Sequence, residues 1–540
     1  MSQSLAVDRG RARAVVLAIA LASAPLGQTV AQTPTLGRVD FPTSASGPAQ
    51  EMFVRGVLFM HSFEYDQAAS AFRAAQRLDQ NFAMAYWGEA MTYTHPVWMQ
   101  QDLSAARAVL NRLAVTREAR HAKAPTEREK RYLSAVETLY GDGGKERRDT
   151  LYSRAMEQLS AQHPDDDEAR SFYALSLLGL QQNGRDIRNY MRAAAMMEEV
   201  FARNPLHPGA VHYLIHAYDD PAHAPLGLRA ANVYGKVAPS AGHALHMTSH
   251  IFVSMGMWDD VISANVAAWN ASSRRNGHYT QWLAYGYLQE GRQREALTFV
   301  QAMQRAAERD AGTPYNRGYL GRMLGAYLID TQDWNGSVGR YATDSVANFV
   351  TAGEGLLAES VTLDFVAGWT ALQRGDASVA GRVLPAMRER VAAAQRAAGG
   401  KYVEGLGASD VMTNTLAAAL TAHEGRLDQA IEGARTAAEK DESYPFEFGP
   451  PETIKPPREY LGELLLTAKR PGEARGAFEA ALRKTPNRTR AVLGLARACA
   501  ALGDREQALA HYARVRGNWA KADGKGAEVL EAETYIDTKR

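Results

Sequence analysis

The structural period of this chain is visible in residues 205–250, which read PLHPGAVHYLIHAYDDPAHAPLGLRAANVYGKVAPSAGHALHMTSH. The pattern HxxxH occurs in this stretch twice, beginning at His212 and again at His246. The second copy follows the first by 34 residues, and Pro205 and Pro239, which precede the two copies, are separated by the same number. A period of this length is typical of a two-helix repeat, so the stretch predicts both an all-α repetitive fold and a candidate site.

Length and composition agree with one repetitive body. The chain has 540 residues, of which 46% are hydrophobic, and this supplies enough apolar surface for a continuous core. A chain this long would ordinarily form several domains, but repeats pack only on their neighbours, and an array of them is a single body. The net charge of +1 gives no reason to expect a nucleic-acid partner.

Residues 1–31 predict a cleavable secretory signal. Arginines at 9, 11 and 13 precede an apolar run over residues 14–26 that is too short to span a bilayer. The small residue Ala31 predicts cleavage after it, and the mature protein is expected to be periplasmic or secreted; an uncleaved anchor is the alternative. No later apolar run approaches the about 20 residues of a membrane span, so none is predicted. The only cysteine, Cys499, excludes an intramolecular disulfide.

The remaining chain divides into a linker followed by about twelve helix pairs, judged by period and turn signals. The predicted segments are a Pro- and Ser-rich linker at 32–48, N-terminal repeats at 49–207, central repeats with the histidines at 208–312, further repeats at 313–440, a proline- and aromatic-rich loop at 441–457, C-terminal repeats at 458–522 and a tail at 523–540.

The small and aromatic residues of these pairs resemble the tetratricopeptide repeat. Its key places are held in the clearest C-terminal pair by Gly462, Ala474, Phe478, Ala481 and Pro486, and near the other end by Tyr65, Ala68, Phe72 and Ala75. HSFEYDQAASAF, FAMAYWGEAMTYTHPVW, HALHMTSHIF and FGPP…KPPREYLGELLL resemble a set of exported bacterial members, which is named for its repeats and not for a reaction. The resemblance implies a right-handed α-solenoid with a concave groove, a fold that hosts many functions.

The resemblance also implies which side chains face the groove, because fixed places of each first helix line it. In the central repeats these places are held by His212, His216, Asp219, Asp220, His243, His246, His250, His278 and Gln281. In the first two repeats the residues His61 and His95 take such a place, and they are expected to form a separate N-terminal part of the groove. His207, before a proline, is interpreted as a helix cap, and His223 as an exposed turn residue.

Helix geometry points to a metal site independently of the family resemblance. Residues at i, i+4 and i+7 share one helix face, and equivalent residues on packed neighbouring helices can converge. Imidazole is a common ligand of zinc, copper and iron, and a carboxylate can complete the set. The predicted ligands are His212, His216, Asp219, His243, His246, His250 and His278. These residues are more than one tetrahedral ion can bind. Some of them could instead hydrogen-bond to the ligands, or the set could hold two ions.

Three functions remain open at this level. The leading hypothesis is an exported scaffold whose groove binds a peptide, protein or small ligand through a site for a divalent Zn, Cu or Fe ion. A metal-dependent oxygenase or hydrolase using His212, His216 and Asp219 is the enzyme alternative. A metal-free protein-interaction adaptor is the third. No serine elbow, Walker loop or dinucleotide fingerprint occurs, so no catalytic residue is predicted.

Overall fold

The computed structural model of the chain describes residues 35–272, 277–309, 314–344 and 356–539. The predicted signal peptide and its cleavage site lie outside the described residues. None of the helices in these ranges combines the length and apolarity that crossing a bilayer requires.

The described helices up to residue 271 surround one short antiparallel hairpin, in which β1 (Thr94–His95) pairs with β2 (Gln100–Gln101). These helices are α1 (Gly47–His61), α2 (Tyr65–Leu78), α3 (Ala83–Met91), α4 (Leu103–Leu113), α5 (Arg117–His121), α6 (Glu127–Leu139), α7 (Lys145–Gln162), α8 (Asp167–Leu178), α9 (Ile187–Arg203), α10 (Pro208–Ala217), α11 (Ala224–Val237), α12 (Gly242–Met255) and α13 (Trp258–Ala271).

The described helices that follow continue the same alternation to the end of the chain. They are α14 (Gly277–Gln289), α15 (Gln293–Arg309), α16 (Pro314–Thr331), α17 (Ser337–Asp344), α18 (Leu357–Gln373), α19 (Ser378–Ala398), α20 (Leu406–His423), α21 (Leu427–Ser443), α22 (Pro457–Thr467), α23 (Pro471–Lys484), α24 (Thr489–Ala501), α25 (Arg505–Asn518) and α26 (Ala527–Lys539).

The predicted all-α solenoid of helix pairs is confirmed. Within a pair, the two helices pack on each other, and first helices of successive pairs also touch, as α10 does with α12 and α14 with α16. In the described ranges the helices form twelve pairs, with the short α5 and the terminal α26 left over. First helices therefore lie side by side, which is the arrangement that can bring equivalent side chains of successive repeats together.

The same glycine and phenylalanine packing occurs at both ends of the solenoid. A Cβ on Gly56 or Gly88 would lie 2.6 or 2.4 Å from the ring of Phe72, and a Cβ on Gly462 or Gly494 would lie 2.7 or 2.2 Å from the ring of Phe478. Each buried phenylalanine of a second helix thus lies between two first helices that approach closely because they lack a side chain there. This contact is the physical basis of the repeat pattern in the sequence.

Segments outside the helix pairs are also fastened to the body. Residues 35–46, within the predicted linker, form no helix, but Leu36 and Phe41 are buried and the Arg38 N–H donates to Leu206 O at 2.8 Å. The predicted tail contains α26, whose Ala532 and Ile536 are buried.

The chain between α21 and α22, residues 444–456, forms no helix and is called the groove loop below. The predicted loop began at 441, but α21 continues to Ser443. The groove loop packs onto first helices: Phe448 contacts His250 of α12, a Cβ on Gly449 would lie 2.5 Å from Trp282 of α14, and Ile454 lies against Gly325 of α16. It therefore covers the central part of the groove.

Candidate metal centre

Six histidines on three neighbouring first helices form one buried cluster. Helix α10 supplies His212 and His216, α12 supplies His243, His246 and His250, and α14 supplies His278. His212 and His246 have no exposed surface and His243 is 8% exposed, whereas His278, at the edge of the cluster, is half-buried. Helix α10 begins at Pro208, which lacks an N–H, and the His207 side chain caps it by accepting from the Ala210 N–H at 3.1 Å.

The first histidine group consists of His212, His216 and His243. One ring nitrogen of each lies within 4.8 Å of the others. The Nε2 atoms of all three are buried and have no hydrogen-bond partner among the described residues. For His212 the tautomer is fixed, because its Nδ1–H donates to the carbonyl oxygen of His61 at 2.6 Å and leaves a lone pair on Nε2.

The second histidine group consists of His246, His250 and His278, again with one ring nitrogen each within 4.8 Å. His246 Nδ1 lies 2.7 Å from Oδ1 of Asn265, whose amide nitrogen donates to the carbonyl oxygen of Val261 at 2.8 Å. His250 Nδ1 lies 2.5 Å from Oδ2 of Asp219. Both Nδ1 atoms face oxygens that accept, so both donate to them, and the two Nε2 atoms point away from these partners.

The two groups adjoin each other. The ring centroids of His216 and His250 are 6.0 Å apart, and those of His243 and His246 are 6.2 Å apart. No side chain other than the imidazoles is needed to bridge from one group to the other. The six rings therefore form one centre with two halves.

Aromatic rings surround this centre. Phe63 stacks on His216 and His243 at 5.7 and 5.6 Å between centroids, with 25° and 24° between ring planes. On the other side Trp282 lies 4.3 Å and Phe448 lies 5.3 Å from His250. These walls exclude water, and electrostatic interactions inside them are stronger than at the surface.

Burial keeps most of these histidines neutral. Desolvation, followed by the neighbouring histidines, lowers the pKa of His212, His216, His243 and His246 well below the usual value. Desolvation likewise lowers the pKa of His278 to about 3. A neutral imidazole is the form that binds a metal ion, so these rings are ready to coordinate across the ordinary pH range.

The aspartates have different roles from those predicted. Asp219 was predicted to share a ligand set with His212 and His216, but its carboxylate accepts from His250 Nδ1 and, at 3.2 Å, from the Ser254 hydroxyl. It lies just beyond the helical turn, where α10 has already ended at Ala217. The set of two histidines and one aspartate is therefore not formed, and His243 takes the third position of the first histidine group.

Asp220 does not face the groove as a free acceptor either. Its carboxylate pairs with Arg185 at 2.8 Å and accepts from the His223 ring and from the backbone N–H groups of residues 222 and 223. His223 was predicted to be exposed, but this pairing leaves it half-buried. Asp220 thus closes the turn after α10.

The other predicted groove residues lie apart from the six histidines. His95 stacks on Tyr65 at 4.0 Å between centroids, next to the small hairpin. Gln281 is buried on α14 beside Arg322 and Ile454, under the groove loop. His61 is fully buried and touches the centre only through the carbonyl oxygen that accepts from His212.

His61 belongs to a third cluster, with Glu168 and His207, that the sequence analysis did not predict. Glu168 Oε2 lies 2.7 Å from His61 Nε2, and Glu168 Oε1 lies 3.0 Å from His207 Nε2. Burial raises the pKa of Glu168, but the two histidines outweigh it and lower the pKa to about 2. Helix α8, DEARSFYALSLL, gave one signal: a glutamate among residues that are otherwise mostly apolar.

Sequence reasoning also missed Asn265, Phe63 and Phe448. Asn265 could have been noticed as the one amide on the buried face of VISANVAAW in α13. Phe63 and Phe448 come from turns or loops whose position depends on tertiary packing, so no local pattern predicts them.

A separate cavity of about 300 Å³ lies behind the groove loop and away from the histidines. It is lined by Tyr402, Tyr444, Glu447, Glu452 and Lys484, among others. Desolvation, then the charge of Glu452, raises the pKa of Glu447 to about 7. The groove loop therefore has one face on the six histidines and the other on this cavity.

Comparisons with known proteins agree with the repeat architecture. Residues 465–518 match the tetratricopeptide repeat family. The comparison with curated proteins finds no match. Similar solved structures include yeast Tom70, at 13% identity over 91% of this chain and 95% of that chain with a TM-score of 0.30. Two others are a human IFIT1 dimer with m7Gppp-AAAA, at 12% identity over 92% and 90% with a TM-score of 0.35, and the P58(IPK) TPR domain, at 11% identity over 92% and 99% with a TM-score of 0.19. The likeness concerns the fold alone.

Proposed function

This chain is a tetratricopeptide repeat protein, and from that premise we propose that its scaffold holds a transition-metal ion on His212, His216 and His243. The proposal rests on one observation: three buried Nε2 atoms, all without a hydrogen-bond partner among the described residues, belong to a group whose ring nitrogens converge within 4.8 Å. A buried polar atom without a partner costs about 1–3 kcal/mol, so three of them together call for a shared partner. A metal ion bound by all three Nε2 atoms would satisfy them at once.

The donor set indicates the kind of ion. Nitrogen ligands without a carboxylate or thiolate suit zinc, copper or iron better than magnesium or calcium. Bonds of about 2.0–2.1 Å to three imidazoles would draw the nitrogens to about 3.3 Å apart in a tetrahedral site and leave a fourth position open.

Burial argues against the metal-free adaptor at these residues. A partner protein cannot reach His212 or His246, which have no exposed surface, without displacing Phe63 or the groove loop. Protein or peptide partners of the repeat scaffold would instead contact other surfaces of the solenoid. The metal centre and the partner surface are then separate features of one protein.

Export remains part of the proposal. It is supported by the basic start and the apolar run of residues 14–26. Exclusion of nucleic acid remains a prediction from the net charge of +1.

The test is the metal content of the purified full chain. After incubation with Zn²⁺ or Cu²⁺ and desalting, we expect at least about one equivalent in the wild type, because a structural three-nitrogen site with bonds of normal length retains its ion on this timescale. His212→Ala should lose ion at this group, whereas His95→Ala, a histidine outside the centre, should not. Less than about a tenth of an equivalent of any transition metal in a folded wild type would overturn the proposal.

A further inference from the structure

We propose that the second histidine group, His246, His250 and His278, binds its own metal ion, so that the six histidines form a paired two-ion centre. This inference rests on the proposed function, because it adds a second ion beside the first. It is carried by an observation that the first group does not share, namely two imidazole nitrogens that face each other at 3.2 Å while their rings are held from behind by Asn265 and Asp219.

The facing nitrogens are the Nε2 atoms of His246 and His250, which are 3.2 Å apart. That distance is close to the about 3.3 Å that separates two nitrogens bound to one ion with bonds of about 2.0–2.1 Å. The Nδ1 atoms of the two rings are held on the far side by Asn265 and Asp219. The two Nε2 atoms are thereby placed at a separation that one ion can bridge.

The outer partners are of the kind that orient metal ligands. A ligating histidine commonly donates its other N–H to a carboxylate, an amide oxygen or a backbone carbonyl, which fixes the tautomer and the ring direction. His250 donates to the Asp219 carboxylate, and His246 donates to Asn265, whose own amide nitrogen is held by Val261 O. The third member, His278, lies 4.5 Å from His246 between ring centroids and completes a three-nitrogen set.

Proximity makes the two ions one centre. The closest contacts between the groups are ring pairs at 6.0 and 6.2 Å, so ions bound to these rings lie close enough to influence each other. Two dipositive ions at such a distance repel, and among the residues that the structure describes only the Asp219 carboxylate is hydrogen-bonded to one of the six rings. The second ion should therefore bind more weakly than the first, in a separate step.

The Glu168 cluster is arranged differently, because none of its ring nitrogens is hydrogen-bonded to another imidazole nitrogen. His61 is bonded at Nδ1 to Tyr213 Oη and at Nε2 to Glu168, while His207 is bonded at Nε2 to Glu168 and at Nδ1 to the Ala210 N–H. All four ring nitrogens already have partners. No third ion is expected.

The test counts ions on the intact full chain. Native mass spectrometry and elemental analysis of Zn²⁺-loaded protein should give two ions per wild-type chain, bound in two steps. His278→Ala and His243→Ala, each in one group, should keep one ion, and His95→Ala should keep two. His278→Gln and His243→Gln serve where an alanine variant fails to fold by circular dichroism.

Cu²⁺ loading adds a spectroscopic readout. If the two ions are paired, the wild-type electron paramagnetic resonance spectrum should show dipolar splitting and a half-field transition, whereas His278→Ala should show the spectrum of an isolated Cu²⁺ ion. One ion in the wild type, or the spectrum of isolated ions with two copper ions bound, would overturn the paired centre and leave the single-ion site intact. No ion at all would overturn both proposals.

Discussion

At the scale of single residues, the role of each buried histidine is decided by what its second nitrogen contacts. His212 uses Nδ1 on a backbone carbonyl, and its Nε2 remains without a partner. His61 lies on α1, which packs on α10, and both of its ring nitrogens have partners. The same residue type therefore has an unpartnered nitrogen, which we propose binds metal, in one place and makes structural hydrogen bonds in the other.

Glu168 should stabilise the fold in a pH-dependent way. Its folded pKa of about 2 lies below the usual 4.5, so the ionised form stabilises the protein above pH 4.5, and this contribution is lost as the pH falls from 4.5 towards 2. Glu168→Gln should lower the free energy of unfolding by about 1–3 kcal/mol at pH 7. It should also make the free energy of unfolding depend less on pH below 4.5. Denaturant titrations between pH 3 and 7 measure both effects.

Glu157→Gln is the matched control, because the Glu157 side chain is half exposed and bonds to Tyr173 at the surface. It should leave this pH dependence unchanged. An equal loss in both variants, or metal loss in Glu168→Gln greater than the stability loss explains, would contradict a purely structural role for Glu168.

At the scale of elements, the groove loop is held against the centre by a close backbone approach. Gly449 has a φ of +101°, and a Cβ there would lie 2.5 Å from the Trp282 ring. Only glycine permits this conformation and this contact together. The neighbouring Phe448 can then lie on His216 and His250, which are 6.5 and 5.3 Å away between ring centroids.

Phe448→Ala should speed metal exchange without abolishing binding. Loss of the ring weakens the closed position of the loop, and about 1.4 kcal/mol less contact energy raises the open population about tenfold. We expect a chelator to remove the ion about tenfold faster, with the same number of ions bound at the start. Stopped-flow absorbance with a chromogenic chelator measures the rate.

Phe446→Ala is the control on the same loop, because Phe446 lines the cavity behind it. Its exchange rate should stay near that of the wild type. A Phe448→Ala rate equal to that of wild type would mean that the loop does not limit access to the centre.

At the scale of the whole molecule, the winding of the solenoid brings distant repeats into contact. Trp258 Nε1 donates to Asn487 O at 3.0 Å, and the Asn487 amide donates to Gly256 O at 2.8 Å. Beside them the buried Arg488 pairs with Asp330 at 2.7 Å and with Glu459 at 2.8 Å. The C-terminal repeats thereby contact the repeat formed by α12 and α13, which supplies three of the six histidines.

Arg488→Met should loosen this contact. It leaves the buried carboxylates of Asp330 and Glu459 without their shared cation, and breaking a buried pair costs about 3–5 kcal/mol. Hydrogen exchange should rise in α24 and around Gly291, and far less in α1 to α4. Hydrogen–deuterium exchange with mass spectrometry measures the change repeat by repeat.

Arg470→Met is the control, because Arg470 pairs with Glu473 on the surface, where an ion pair contributes about 0–1 kcal/mol. Similar exchange in the two variants would show that Arg488 does not fasten the repeats to each other.

The sequence predicted the repeat fold well because each repeat is built from local contacts. Period, small residues and aromatic residues report the packing of one helix pair, as Phe478 between Gly462 and Gly494 illustrates. The same period placed the six histidines on equivalent faces of α10, α12 and α14, so their convergence could be predicted. Because each repeat packs only on its neighbours, a stretch of about two repeats contains the residues that determine this packing.

Only the tertiary structure decided what those histidines contact. Asp219 was predicted as a ligand together with His212 and His216, but α10 ends before it, and the chain then turns its carboxylate to His250. His61 and Phe448 reach the six histidines from another repeat and from the groove loop, across separations of up to about 230 residues that no helical period encodes. Local periodicity fixed which faces meet, whereas hydrogen-bond partners and access depended on how the whole solenoid winds.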